Sequence, residues 1–134
     1  MAIEQMLAAA RARIRRYTPA EAAAADVLIV DLRSSDERAR HGIVPGSVHV
    51  PRSVLEWRCD QSSGFANPNL AGRTLVMLCA HGFSSSLAAA SLVELGFADA
   101  GDVEGGFEAW AAAGLPVVEA PTPGAVPGMG APNE

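Results

Sequence analysis

Two short, unbroken aliphatic runs, Val27-Leu28-Ile29-Val30 and Leu75-Val76-Met77-Leu78, set the strongest limit on how this chain folds. Successive side chains of a strand point to opposite sides, so a strand with one wet face alternates apolar and polar residues. Four aliphatic residues in a row leave no wet side, and each run reads as a strand buried on both faces. Strands of that kind pair in parallel, with helices covering the sheet above and below. The remaining segments carry the signals for those helices. Ile3 to Arg16 reads as a helix, with Ile3, Met6, Leu7 and Ile14 near one face and Arg11, Arg15 and Arg16 in water. The cluster Arg11, Arg13, Arg15 and Arg16 reads as the solvated end of that helix, where the dipole favours cations, with an anion patch as the alternative. Thr18-Pro19-Ala20-Glu21 spells an N-cap, a proline at the first helical position and a glutamate at the third, opening a helix to about Ala25. Further helices are expected near 35–40, from Ser85 to Leu95 with Gly96 as the stop, and from Phe107 to Ala113 before Gly114-Leu115-Pro116. Small strands are expected at 47–50 and near 100–103. Residues 58–73, rich in Ser, Gly, Asn and Pro without a period, read as a long loop. The fold class is α/β, a central parallel sheet with helices on both faces.

Composition removes several function classes. A chain of 134 residues has room for one real core, and a 49% hydrophobic share is incompatible with a disordered protein. A net charge of −5 argues against a nucleic-acid coat or a polybasic membrane binder. No run approaches the ~18 apolar residues of a membrane helix. The first residues place charge after apolar side chains, the reverse of a secretory signal. Two cysteines, Cys59 and Cys79, make no metal-ligand pair, and their sparseness suits a reducing cytoplasm. No Gly-rich phosphate loop ending in GK[ST] is present. No cofactor, nucleic acid or membrane partner is expected. All ten basic residues are arginine.

The chemistry concentrates at Cys79. The run 75–78 ends on it, Cys79-Ala80-His81-Gly82-Phe83-Ser84 follows, and a helix begins at Ser85. In a parallel sheet, ligands bind beyond the carboxyl ends of the strands. A short loop entering a helix there can turn its backbone N–H groups toward one centre, favouring an anion and lowering a thiol pKa. Gly82 supplies backbone freedom for that curl. The alternative is a buried structural thiol. Cys59 is expected in the long loop, either resolving an oxidised Cys79 as a disulfide or as an incidental thiol. Arg58 or Arg52 is placed to swing toward the site. Asp31 and Arg33 are expected to pair with neighbours such as Glu37 and brace the loops, while Phe107 and Trp110 read as core anchors. His41 and His49 receive no role.

These residues resemble the rhodanese-like domains. Asp31-Leu32-Arg33, then Glu37, then Gly42-Ile43-Val44-Pro45-Gly46-Ser47 with Val50-Pro51, looks like the family's amino-terminal signature. Gly105-Gly106-Phe107-Glu108-Ala109-Trp110 followed by Gly114-Leu115-Pro116-Val117 is similar to its carboxy-terminal signature. With the Cys79 loop between them, the resemblance spans about residues 18 to 118. It divides the chain into an N-terminal helix (1–17), a rhodanese-like domain (18–118) and a Pro/Gly-rich tail (119–134) expected to be flexible. The resemblance implies a five-stranded parallel sheet and sulfurtransferase chemistry. Cys79 matches the nucleophile that carries sulfane sulfur as a persulfide. Residues Ala80, His81, Gly82, Phe83 and Ser84 match the substrate-binding loop, and Ser85 the small residue opening the next helix. The implied partners are a small sulfur-containing anion or low-molecular-weight persulfide as donor and a thiol or cyanide as acceptor, with room for a protein partner.

The chain departs from the family where a basic residue often follows the cysteine and an arginine often ends the loop. Here those positions are Ala80 and Ser84. Fewer cations mean weaker attraction and no bidentate contact for a dianion such as thiosulfate, so polysulfide and persulfide donors stand beside it. His81 is the loop's titratable residue. Ile43 stands where the family usually has histidine, a packing position. The rival readings are an anion- or protein-binding regulatory module without turnover, and a cysteine phosphatase or arsenate reductase, which needs an arginine where Ser84 stands.

Overall fold

The computed structural model describes residues 2–121. Five strands form one all-parallel sheet in the order β1-β5-β4-β2-β3: β1 Arg15–Tyr17, β2 Leu28–Asp31, β3 Val48–His49, β4 Leu75–Leu78 and β5 Gly101–Val103. The two aliphatic runs become the neighbouring strands β2 and β4, with Leu28 beside Leu75 and Val30 beside Met77. Their side chains divide between two cores. Leu28, Val30, Leu75 and Met77 meet Leu55 and Cys59 of helix α4 (Leu55–Cys59) and Ala88, Ala89 and Leu92 of helix α5 (Ser84–Glu94). On the opposite face Ile29, Val76 and Leu78 meet Ala22 of α2 (Pro19–Ala24) and Phe107 and Trp110 of α6 (Gly106–Ala112). Each fully buried aliphatic side chain contributes about 1.5–3 kcal/mol, which is why both faces of so short a sheet are covered. The other helices are α1 (Ile3–Arg11) and α3 (Ser35–His41).

Helix α2 forms where its capping residues place it. Thr18 accepts from the Glu21 N–H, and the Glu21 carboxylate accepts from the Thr18 N–H, with Pro19 in the first turn. The first helix is shorter than expected. It ends at Arg11 rather than Arg16, and Arg15–Tyr17 is instead the edge strand β1, paired with Gly101–Val103. Tyr17 drives this exchange: only 2% exposed, it packs into the α2–α6 core, and tertiary pairing overrides local helix preference. Residues 58–73 are also more ordered than a plain loop. Arg58 and Cys59 are the last two residues of α4, and Pro68–Leu70 forms a 3₁₀ turn that buries Leu70. Val118 exchanges two backbone hydrogen bonds with Ile43, a residue buried as a packing position should be. Beyond Pro121, the expected tail lies outside the described residues.

Candidate functional site

Cys79 follows β4 at its carboxyl end and is 6% exposed. Its Sγ accepts from the Gly82 N–H at 3.2 Å and the Ser85 N–H at 3.3 Å. The fate of the loop's carbonyls explains how donors come to face the sulfur. The Cys79 carbonyl accepts from the Phe107 N–H at 2.8 Å and the Ala80 carbonyl from the Glu108 N–H at 3.1 Å, both in the first turn of α6. The Gly82 carbonyl accepts from Arg11 Nη2 at 2.8 Å and Arg16 Nη2 at 3.1 Å. In a trans peptide the N–H points away from the C=O of the same unit, and no cis bond occurs among the described residues. Tying these three carbonyls outward therefore turns the N–H groups of Ala80, His81 and Phe83 to the other side. Among the described residues those three amides have no protein acceptor. The arrangement is a backbone nest with donors to offer an anion.

Two glycines make the packing possible. Gly82 adopts φ +84°, and a Cβ there would sit 2.6 Å from the Gly105 nitrogen. Gly106, at φ +64°, lies so close to the Cys79 carbonyl and the Gly82 nitrogen that any side chain would push loop and helix apart.

Burial opposes ionisation of Cys79. Hydrogen bonds from the Ser85 and Ser84 hydroxyls and the Ser85 and Gly82 N–H groups outweigh it and hold the thiol below its ordinary pKa. Ser85 Oγ also lies 2.8 Å from Asp102 Oδ2 and has one proton to give, so sulfur and carboxylate compete for it. Asp102 on β5 is fully buried. It accepts from Ser86 Oγ at 2.7 Å and pairs through both oxygens with Arg16, at 2.9 and 3.2 Å.

The other predicted residues divide clearly. Ala80 and His81 line a cleft of about 370 Å³ with Arg33, Glu37, His41 and Phe107. His81 Nδ1 is 2.7 Å from Glu108 Oε2, both side chains being exposed. Phe83 is 60% exposed, and Ser84 opens α5 at the surface. Asp31 and Arg33 do pair, but with each other, at 3.0 and 2.8 Å, and with Arg38 rather than Glu37, which caps α3 through Ser34. The Arg33 guanidinium also lies 3.9 Å from the centroid of Phe107, so Phe107 is both core and cleft wall. Neither Arg52 nor Arg58 lines this cleft. Arg52 is held by Glu56, and buried Arg58 donates to the Phe65 carbonyl. Cys59 is a fully buried core thiol on α4, not a loop thiol, and burial with the nearby Glu56 charge pushes it up to about 12. Its position removes the resolving-cysteine reading. His49 is buried with Nε2 2.7 Å from the Arg33 carbonyl, while His41 reaches the cleft.

Arg11 and Arg16, expected in water at the end of a helix, are instead half-buried against the Gly82 carbonyl, and Ser86 and Asp102, to which the sequence assigns no role, join them. The arginines are 71 and 66 residues from Gly82, so no local pattern joins them. Asp102 left one clue, an acid inside a segment that otherwise reads as a strand.

The rhodanese-like domain model matches residues 17–113. The chain belongs to that family. Thiosulfate sulfurtransferase GlpE of Pseudoalteromonas translucida is 34% identical over 93 residues, covering 66% of this chain and 76% of that protein. A sulfurtransferase of Allochromatium vinosum is 32% identical, with 69% and 79% covered. Among solved structures, a Rhodopseudomonas palustris protein of unknown function, described as a possible tyrosine phosphatase, superposes with a TM-score of 0.82. It is 37% identical, with 88% of this chain and 95% of that one covered. The polysulfide-sulfur transferase homodimer of Wolinella succinogenes gives a TM-score of 0.64 at 26% identity, with 87% of each chain covered. Family and relatives together make this rhodanese-like chain a sulfurtransferase. No described helix is long and apolar enough to cross a membrane.

Proposed function

We propose that Cys79 is the sulfur carrier. Its thiolate attacks the outer sulfur of a thiosulfate-, polysulfide- or persulfide-type donor. A new S–S bond forms at Cys79 while the donor's own S–S bond breaks, and the leaving group (sulfite, from thiosulfate) departs with the electron pair. The terminal persulfide sulfur then lies among the N–H donors of the nest, whose fixed dipoles stabilise the anion. An acceptor thiolate or cyanide attacks that sulfur, and the Cys79 thiolate leaves. The observation that carries this reading is the thiol itself, lowered in pKa by the Gly82 and Ser85 donors at the carboxyl end of a buried strand. Both cysteines are free, which suits work in a reducing cytoplasm.

The test is to incubate the protein with thiosulfate, polysulfide and a glutathione persulfide separately and weigh it intact. Gain of one sulfur atom, located on Cys79 and lost on adding cyanide, is the expected result. No adduct with any donor overturns the proposal and leaves the anion- or protein-binding module standing. The phosphatase reading draws on the similar anion cradle around the cysteine and on the description of the Rhodopseudomonas neighbour. Neither Ser84 nor Ser85 supplies the cation that holds a transferred phosphoryl group. No turnover of an aryl phosphate is expected.

A further inference from the structure

We propose that Arg11 and Arg16 form a positioning clamp for the Cys79 loop, set behind it, and supply there the positive charge that Ala80 and Ser84 do not. The proposal deepens the sulfur-carrier reading by saying what makes this loop competent for an anion. Neither residue falls in the family-matched region, which starts at Tyr17. Arg11 is the last residue of α1, and it reaches three parts of the site at once. It donates through Nη2 to the Gly82 carbonyl at 2.8 Å and through Nε to Ser86 Oγ at 3.1 Å, and its guanidinium lies 5.8 Å from the Phe83 ring centroid. Arg16 takes the same carbonyl at 3.1 Å while its Nε is anchored on Asp102 Oδ1 at 2.9 Å.

Two consequences follow from this geometry. The Gly82–Phe83 peptide is fixed with its oxygen toward the arginines and its N–H away from them, in the direction the nest needs. Two guanidinium donors on one carbonyl also polarise that peptide, which strengthens the Phe83 N–H as a donor. Two cations against the single Asp102 carboxylate leave a net positive charge behind the loop, in a half-buried place where water screens it weakly. Asp102 has a part of its own. It fixes Arg16 and draws on the hydroxyls of Ser85 and Ser86, so the clamp and the first turn of α5 share one anchor.

The experiment compares Arg11→Ala, Arg11→Gln and Arg11→Lys with the parent. Arg16 is left in place because its removal would strand the buried Asp102 charge. The first readout is the pH profile of Cys79 alkylation by iodoacetamide, the second the rate of sulfur loading from thiosulfate. Circular dichroism checks the fold of each variant. Arg11→Ala is expected to raise the alkylation midpoint and to slow loading about tenfold, the scale of one charge-assisted hydrogen bond. Arg11→Gln, which keeps a donor without the charge, should leave the midpoint raised. Arg11→Lys, which keeps the charge, should bring it back toward the parent. Should Arg11→Ala not fold, the Gln and Lys variants decide by the same midpoints. Folded variants whose midpoints and loading rates all equal the parent's overturn the clamp. A parent that is alkylated normally but never gains sulfur breaks the sulfur-carrier reading instead, because alkylation needs no donor.

Discussion

The chain's two thiols, Cys79 and Cys59, are both buried, yet their surroundings push them in opposite directions. Cys59 is fully enclosed by the α4–α5 core, and burial raises it to about 12. Cys79 is nearly as enclosed and ends below its ordinary pKa, because four hydrogen-bond donors outweigh the same burial penalty. Burial alone therefore does not decide whether a cysteine is inert. What decides is whether backbone amides and hydroxyls are turned toward the sulfur, and only the loop between β4 and α5 turns them.

The largest effect that sharpens this contrast is Cys79→Ser. Sulfur loading should fall by at least roughly a thousandfold, the scale of removing a covalent nucleophile, while the melting temperature changes little. Loading that survives at parental rate would move the chemistry elsewhere. Next comes Gly106→Ala, which leaves both sulfurs untouched and displaces the helix turn that ties the Cys79 and Ala80 carbonyls. Loading should drop about a hundredfold, the cost of moving reacting groups by about 1 Å. The mirror experiment is Cys59→Ser. It should leave loading within about twofold of the parent and cost about 1–3 kcal/mol in denaturant unfolding, since a hydroxyl enters an apolar core. A large activity loss in that stable-enough variant would break the division between the two thiols. The smallest effect is read by pH. Cys59 is raised in the folded state, so the stability it contributes is complete below the unfolded thiol value of 9.0. It drains away as pH climbs from there toward about 12. Urea titrations across the alkaline range should show that loss in the parent and not in Cys59→Ala.

The same contrast shows what the sequence can display. The two aliphatic runs marked β2 and β4 because a strand covered on both faces has no polar alternation to hide it. The place of Cys79 followed from its position at the end of one such run. Thr18 and Glu21 announced α2 because capping is a contact between near neighbours in the chain. The edge strand β1 escaped notice, since two arginines beside Tyr17 look like wet helix and its only sheet partner, β5, is almost the whole domain away in sequence. The roles of Arg11 and Arg16 escaped for the same reason. Arginines counted as absent from the loop were present behind it, brought there by a helix end and an edge strand. Long side chains that bind a distant carbonyl leave no periodic trace.

The outward ties on the Cys79, Ala80 and Gly82 carbonyls have one more consequence, for how such a protein changes over evolutionary time. Two of the donors facing the sulfur, the Gly82 and Ser85 N–H groups, belong to the main chain, and the loop that aims them is held from outside by α6 and two arginines. The side chains of Ala80, His81 and Phe83 are thus released from the task of building the nest, whereas Ser84 also lends its hydroxyl to the sulfur. Mutation can rewrite those three to suit a new donor or a new partner, and the machinery that steadies the sulfur is inherited unchanged.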